Sequence, residues 1–195
     1  LALPFLDRFF INQYLSNEDL GIYASIQEIL IRVFSLTIFP LTMAIHPRIM
    51  NLWNKSKKYE AIQIIQWGIG VMVFLSVFIF SLFWYLDSFI FNILNRLIPQ
   101  FEIQNKHIIL PLLSAGFLWQ LSFLTHKMLE LNDKTKLMVF FILISLSINI
   151  IGNNFFVPDH GLIASSITGF LSAFVYCLLT GIYSIYAIIN SKNIN

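Results

Sequence analysis

Four stretches of this chain, 65–86, 108–125, 137–158 and 161–189, are apolar with almost no charged residue. An α-helix rises about 1.5 Å per residue, and about 20 apolar residues carry it across the roughly 30 Å hydrocarbon core of a bilayer. Composition points the same way. Apolar residues make up 57% of the sequence and charged residues only 11%, against about 25% charged in a soluble domain, whose surface must face water. Too few charges exist to coat a globule of this length, and a lipid-facing surface removes the need for them. The runs are continuous, whereas a barrel strand would show about ten residues of alternating polarity. The fold class is therefore an all-α membrane protein.

Two further segments complete a six-helix transmembrane bundle. The segment 21–45 is long enough but carries Glu28 and Arg32, and 1–15 is too short to span alone. The chain opens at Leu1 in sequence of membrane-interior character, with no charged region and cleavage pattern of a signal peptide. The expectation is a single bundle, truncated in its first span, with the amino-terminal part missing. Segment 161–189 exceeds the required length and is expected to tilt or overhang.

Loop charges give an orientation. Arg48, Lys55, Lys57 and Lys58 fall in one connection, Lys127, Lys134 and Lys136 in another, and Lys192 in the tail. The turns at 16–20 and 158–161 hold only Glu18, Asp19, Asp159 and His160. The two sets alternate along the chain, so the basic loops and the carboxyl terminus are expected in the cytoplasm. The 87–106 connection falls on the outer side, and its apolar content suggests a segment lying on the membrane surface. Trp67, Trp84, Tyr85, Tyr183 and Tyr186 sit where headgroup-level anchors belong, and Trp119 is placed to pack against another helix. Pro40 and Pro111 lie inside expected spans and are expected to kink them.

The sequence argues against most soluble chemistry. It has no phosphate-cradling glycine loop, no nucleophile elbow and no histidine pair at metal spacing, so no enzyme, cofactor or metal site is expected. His46, His107, His126 and His160 are scattered, and Cys177, the single cysteine, reads as an apolar packing residue. A formal charge of +2 gives no reason to expect nucleic acid.

The informative residues are the intramembrane charges. Glu28 and Arg32 are four apart and share a helix face. A central charge costs about 2.5–3.5 kcal/mol to insert, while each Leu, Ile, Phe or Val returns about 0.3–0.6 kcal/mol. Two such charges outweigh the dozen or so apolar residues around them, so this face must meet protein or a watery cavity. Asp7 and Arg8 form a second pair. Arg8 lies about 10 Å and Arg32 about 16 Å in from the turn that joins their helices, at 1.5 Å per residue. Both guanidinium groups can therefore reach one cavity, where arginine is suited to gripping phosphate oxygens. Structural ion pairs that lock helices together explain the same residues equally well. Ser145, Ser147, Asn149, Asn153 and Asn154 make a polar stripe that reads first as interhelix hydrogen bonding.

Three segments together carry a family likeness. LDRFFINQYLSNEDLGIYA contains Asp7 and Arg8, a short turn, and then Gly21, Ile22 and Tyr23 opening the next helix. FPLTMAIHPRIMNLW runs from a proline-bearing helix into a basic loop, and NDKTKLMVFFILISLSINIIGNNFFVPDHGLIASS carries an asparagine-rich helix and a proline-to-glycine turn. In this order they resemble the carboxyl-terminal half of polysaccharide repeat-unit flippases, the O-antigen and capsule transporters of the multidrug/oligosaccharidyl-lipid/polysaccharide exporter superfamily. Ala164, Ser165 and Ser166 stand where that family often has a Gly-Ala pair. The resemblance implies one half of a two-bundle transporter of about twelve helices in the bacterial inner membrane. That transporter would flip undecaprenyl-diphosphate-linked oligosaccharide for surface polysaccharide synthesis. It implies Arg8 and Arg32 as diphosphate ligands, with Asp7 and Glu28 as countercharges or coupling groups. Its partners would be the lipid-linked oligosaccharide, membrane lipids, the amino-terminal bundle and a polysaccharide-assembly complex. A cation-coupled multidrug antiporter of the same superfamily is the alternative.

Overall fold

The computed structural model describes residues 3–98 and 100–192, and these are almost wholly helical, with no strand among them. Residues 1 and 2 of the expected first span lie outside the described residues. The elements are α1 (Leu3–Tyr14), α2 (Asn17–Thr37), α3 (Phe39–Asn54), α4 (Lys58–Tyr85), α5 (Asp87–Leu97), a 3₁₀ turn (Ile103–Ile108), α6 (Ile109–Thr125), α7 (Lys127–Leu131) and α8 (Thr135–Lys192). Four helical stretches are long and apolar enough to cross a membrane: Asn17–Thr37, Lys58–Tyr85, Asn105–Leu131 and Thr135–Asn190.

The boundaries depart from the sequence expectation at the prolines. The expected span 21–45 is two helices, not one. Pro40 has no N–H to offer Leu36 and crowds its carbonyl, so α2 stops at Thr37 and Pro40 falls in the first turn of α3. From there α3 stays helical through Pro47 to Asn54, which turns most of the expected 48–60 loop into helix and leaves only 55–57 as a turn. Pro111 does not kink a span either. It occupies the first turn of α6, where an N–H would have no partner within that helix.

The largest departure is α8. The helix continues past Pro158, and the expected turn at 158–161 shrinks to one residue, Gly161, at φ 62° and ψ −145°. Only glycine adopts that combination without a Cβ clash. The chain folds back there, so the limbs 135–160 and 162–192 lie side by side. Ser145 Oγ donates to the Ser172 carbonyl at 2.7 Å across them. At Gly152 the limbs are so close that a Cβ would meet Thr168 Cγ2 at 2.5 Å. Each limb exceeds the about 20 residues a crossing needs.

The acidic residues after Ser16 also have a local role. Ser16 caps α2, accepting from the Asp19 N–H at 3.1 Å, while the Asp19 carboxylate accepts from the Ser16 N–H at 3.2 Å. This reciprocal cap satisfies donors at the helix start and sets Glu18 and Asp19 against the positive end of the helix dipole.

In the core, Phe34, Phe80 and Phe117 of α2, α4 and α6 meet with ring centroids 5.9–6.4 Å apart. Trp119 packs on Tyr176 at 5.7 Å, and Cys177 is buried. Trp67, Trp84, Tyr85 and Tyr186 are exposed, as anchors would be, whereas Tyr183 packs against the core. One end of the molecule gathers the α1–α2 turn, the α4–α5 junction and Gly161. The other gathers the 55–57 turn, α7 and their lysines. On α5, Leu94 is buried and Ile90 and Phe91 pack on the core, while Phe89, Ile93 and Leu97 form an exposed apolar stripe. That geometry suits a helix lying along a lipid surface.

Replacing Gly161 by Ala is expected to destabilise the protein by about 1–3 kcal/mol, the cost of forcing a Cβ into a glycine-only conformation. Gly181, with no neighbouring atom in the way of a Cβ, should tolerate alanine without loss. Thermal unfolding of both variants in detergent checks the contrast.

Candidate functional site

Successive helix residues are about 100° apart around the axis, and this separates the two charges that are adjacent in sequence. Asp7 shares the inward face of α1 with Ile11, and both are buried. Arg8 points off that face toward α2. The expected Asp7–Arg8 pair is thus divided between two neighbouring environments.

Asp7 is only 3% exposed and is held from three directions. Asn149 and Asn153, one turn apart on the first limb of α8, donate to Asp7 Oδ1 at 2.8 and 3.0 Å. From α2 the Tyr23 hydroxyl donates to Oδ2 at 3.1 Å. Gly169 on the second limb leaves room for the carboxylate, since a Cβ there would lie 3.1 Å from Oδ2. A lone carboxylate at a helix centre costs about 2.5–3.5 kcal/mol in a membrane, and three hydrogen bonds to it offset that cost. Ser145, Asn149 and Asn153 are therefore the inward part of the polar stripe. Ser147 and Asn154 are exposed, and Asn154 accepts from the Tyr14 hydroxyl at 2.7 Å.

The arginines form a separate array on the α1–α2 surface. Arg8 Nε donates to Gln27 Oε1 at 3.1 Å, and its Nη2 lies 3.4 Å from Glu28 Oε2. The other Glu28 oxygen accepts from Arg32 Nη2 at 3.1 Å, the expected i,i+4 pair. Glu28 thus bridges Arg8 and Arg32. The array opens outward: the side chains of Arg8, Glu28 and Arg32 are 27%, 52% and 69% exposed. Gln27, buried one residue before Glu28, links the two environments. It accepts from Arg8 and also lines a cavity of about 20 Å³ with Asp7, Trp119, Asn149 and Ser172, room for a single water. Asp7 and Gln27 thus face one small cavity, and Gln27 in turn bonds half-buried Arg8, which shares Glu28 with exposed Arg32.

Tyr23, Gln27 and Gly169 were not legible as partners of this site, although Tyr23 and Gln27 fall on the helical i, i+4 spacing that continues through Leu30 and Phe34, all buried. A second polar cluster, at the opposite end, was not legible at all. Lys127, expected as a loop charge, is buried. It donates to Glu130 and to His46 Nδ1, the latter at 2.7 Å, while the Tyr176 hydroxyl lies 3.2 Å from His126 Nδ1. His46 and His126 are thus drawn toward the same end, yet no group of three or more metal-ligating side chains occurs among the described residues.

The Asn149→Ala variant should lose about 1–3 kcal/mol of stability, because a buried acceptor is left short of a partner. Asp7→Leu in the same chain should recover part of that loss, since no buried charge then remains to be satisfied. Unfolding midpoints of the two single variants and the double variant measure the coupling.

No family model, curated protein or solved structure matches this chain.

Proposed function

We propose that the chain is one half of a two-bundle transporter that flips undecaprenyl-diphosphate-linked oligosaccharide repeat units across the bacterial inner membrane. The observation that carries this reading is the exposed Arg8–Glu28–Arg32 array on α1 and α2. Two guanidinium groups held on one carboxylate match a diphosphate, which can accept paired N–H donors from each. Glu28 keeps the arginines apart and oriented without substrate. An arriving diphosphate takes over its hydrogen bonds. In this role the chain moves a lipid-linked substrate and breaks no covalent bond.

Buried Asp7 serves as the coupling group. The three side chains bonded to it are uncharged, so a proton or a small cation would be its natural countercharge. Gln27 connects that event to Arg8. The same feature favours the second reading, a cation-coupled drug antiporter, in which the arginine array would play no part in export. Six crossings, with the two limbs of α8 as the last pair and the basic end in the cytoplasm, fit either reading. The partners proposed are the lipid-linked oligosaccharide, bilayer lipids, an amino-terminal bundle and a polysaccharide-assembly complex.

Arg8→Ala and Arg32→Ala are each expected to lower surface glycan by about tenfold or more, the worth of one lost charge-assisted hydrogen bond, with unchanged protein in the membrane fraction. Lysine at either position should restore little, because it lacks the bidentate fork. Normal glycan display in both alanine variants would overturn the diphosphate assignment. A loss of drug resistance with intact glycan on Asp7→Asn would favour the antiporter.

A further inference from the structure

A cavity of about 760 Å³, with none of the arginine array in its lining, lies between α4, α5, the 3₁₀ turn and α6. Its walls are apolar: Phe80 and Phe83 from α4, Leu110 and Leu113 from α6, and Ile163 just past the Gly161 turn. Its polar groups are Asp87, Lys106 and His107. Asp87 and Lys106 are ion-paired, with side chains 49% and 35% exposed, so each keeps an open side. Trp84 lines the cavity and, with adjacent Tyr85, is almost fully exposed, as expected of rings at headgroup depth. From α5 the cavity takes Asp87 and Ile90, while Phe89, Ile93 and Leu97 on the same helix are exposed.

From this we infer that the groove is a binding site for a zwitterionic phospholipid with a primary ammonium headgroup, its acyl chain lying along the phenylalanine and leucine walls. The volume falls within the range of ligand-sized pockets, about 300–1,000 Å³. The headgroup assignment rests on charge. A phospholipid of this class carries an ammonium and a phosphate side by side, and the groove offers a carboxylate and an ammonium side by side. Lys106 and His107 donate to the phosphate, and Asp87 accepts from the lipid ammonium. Asp87 disfavours a purely anionic headgroup, including a polyprenyl diphosphate, because like charges would face each other. A quaternary ammonium has no N–H for Asp87 to accept. This inference does not depend on the transport reading above.

The test is native mass spectrometry of the full chain released from nanodiscs that contain equal amounts of phosphatidylethanolamine, phosphatidylglycerol and phosphatidylcholine. The wild-type chain should retain phosphatidylethanolamine over the other two by about tenfold, the difference one charge-assisted hydrogen bond makes. Asp87→Asn should erase the preference over phosphatidylglycerol, and Lys106→Ala should weaken retention of all three. Leu110→Trp, a change at an exposed wall position, should block the groove and strip bound lipid. Circular dichroism and elution volume establish that each variant is folded. Asp87→Asn alters only a half-exposed side chain, so it tests the idea even where Leu110→Trp misfolds. Equal retention of the three lipids by the wild-type chain would overturn the headgroup assignment. Undiminished lipid on folded Leu110→Trp would overturn the site, as when another segment or a second copy covers the groove.

Discussion

The carboxylate of Asp7 is the point on which three helices converge. It accepts from Tyr23 on α2 and from Asn149 and Asn153 on the first limb of α8, and it rests against Gly169 on the second. In hydrocarbon, helices gain little by hiding apolar surface from one another, because lipid tails are equally apolar. What holds them in register is close packing and hydrogen bonding. A buried carboxylate is the most demanding hydrogen-bond acceptor available, so satisfying it fixes the depth of α1 and its rotation about its own axis. With α1 set, Arg8 must face Gln27 and Glu28 on α2.

The same logic organises the rest of the interior. Ser122, Thr125, Ser145, Ser172, Thr180 and Ser184 are buried, and they lie where α6 and the limbs of α8 meet. Thr125 and Thr180 hydroxyls are 2.8 Å apart, and Ser184 donates to the Thr125 carbonyl. Small polar residues let the backbones approach and then join them. Large apolar side chains, among them Phe74, Phe78, Phe155 and Phe174, also point outward. Apolar side chains thus cover both the interior and much of the surface, with the buried hydroxyls and amides set at the helix contacts.

Proline and glycine did not act where hydrophobicity alone suggested. A hydropathy run shows that 21–45 is long enough to span. It does not show that Pro40 will start a new helix after Thr37, because that depends on whether the chain bends or breaks at the lost hydrogen bond. At 158–161 the expectation is a turn running from proline to glycine. Gly161 is the residue with non-helical backbone there, and Pro158 stays within the helix on an exposed face, as does Asn154, whose carbonyl loses the N–H that proline lacks. The charges Asp7 and Arg8 were visible as intramembrane oddities, and Glu28–Arg32 as an i,i+4 pair. That Glu28 also reaches Arg8, and that Lys127 reaches His46, depends on contacts between residues 20 and 81 positions apart.

The sequence by itself determined the helical class, the approximate position of the long apolar stretches, and the two helices on which costly charges lie. Each follows from local quantities: transfer energy per residue, rise per residue and spacing along one helix. Only the tertiary structure decided which member of each charged pair is buried, which asparagines of the stripe face inward, and that a lysine from a basic loop is enclosed. Those outcomes depend on rotation of whole helices about their axes. A turn of about 100°, one residue's worth, exchanges a buried carboxylate for an exposed guanidinium.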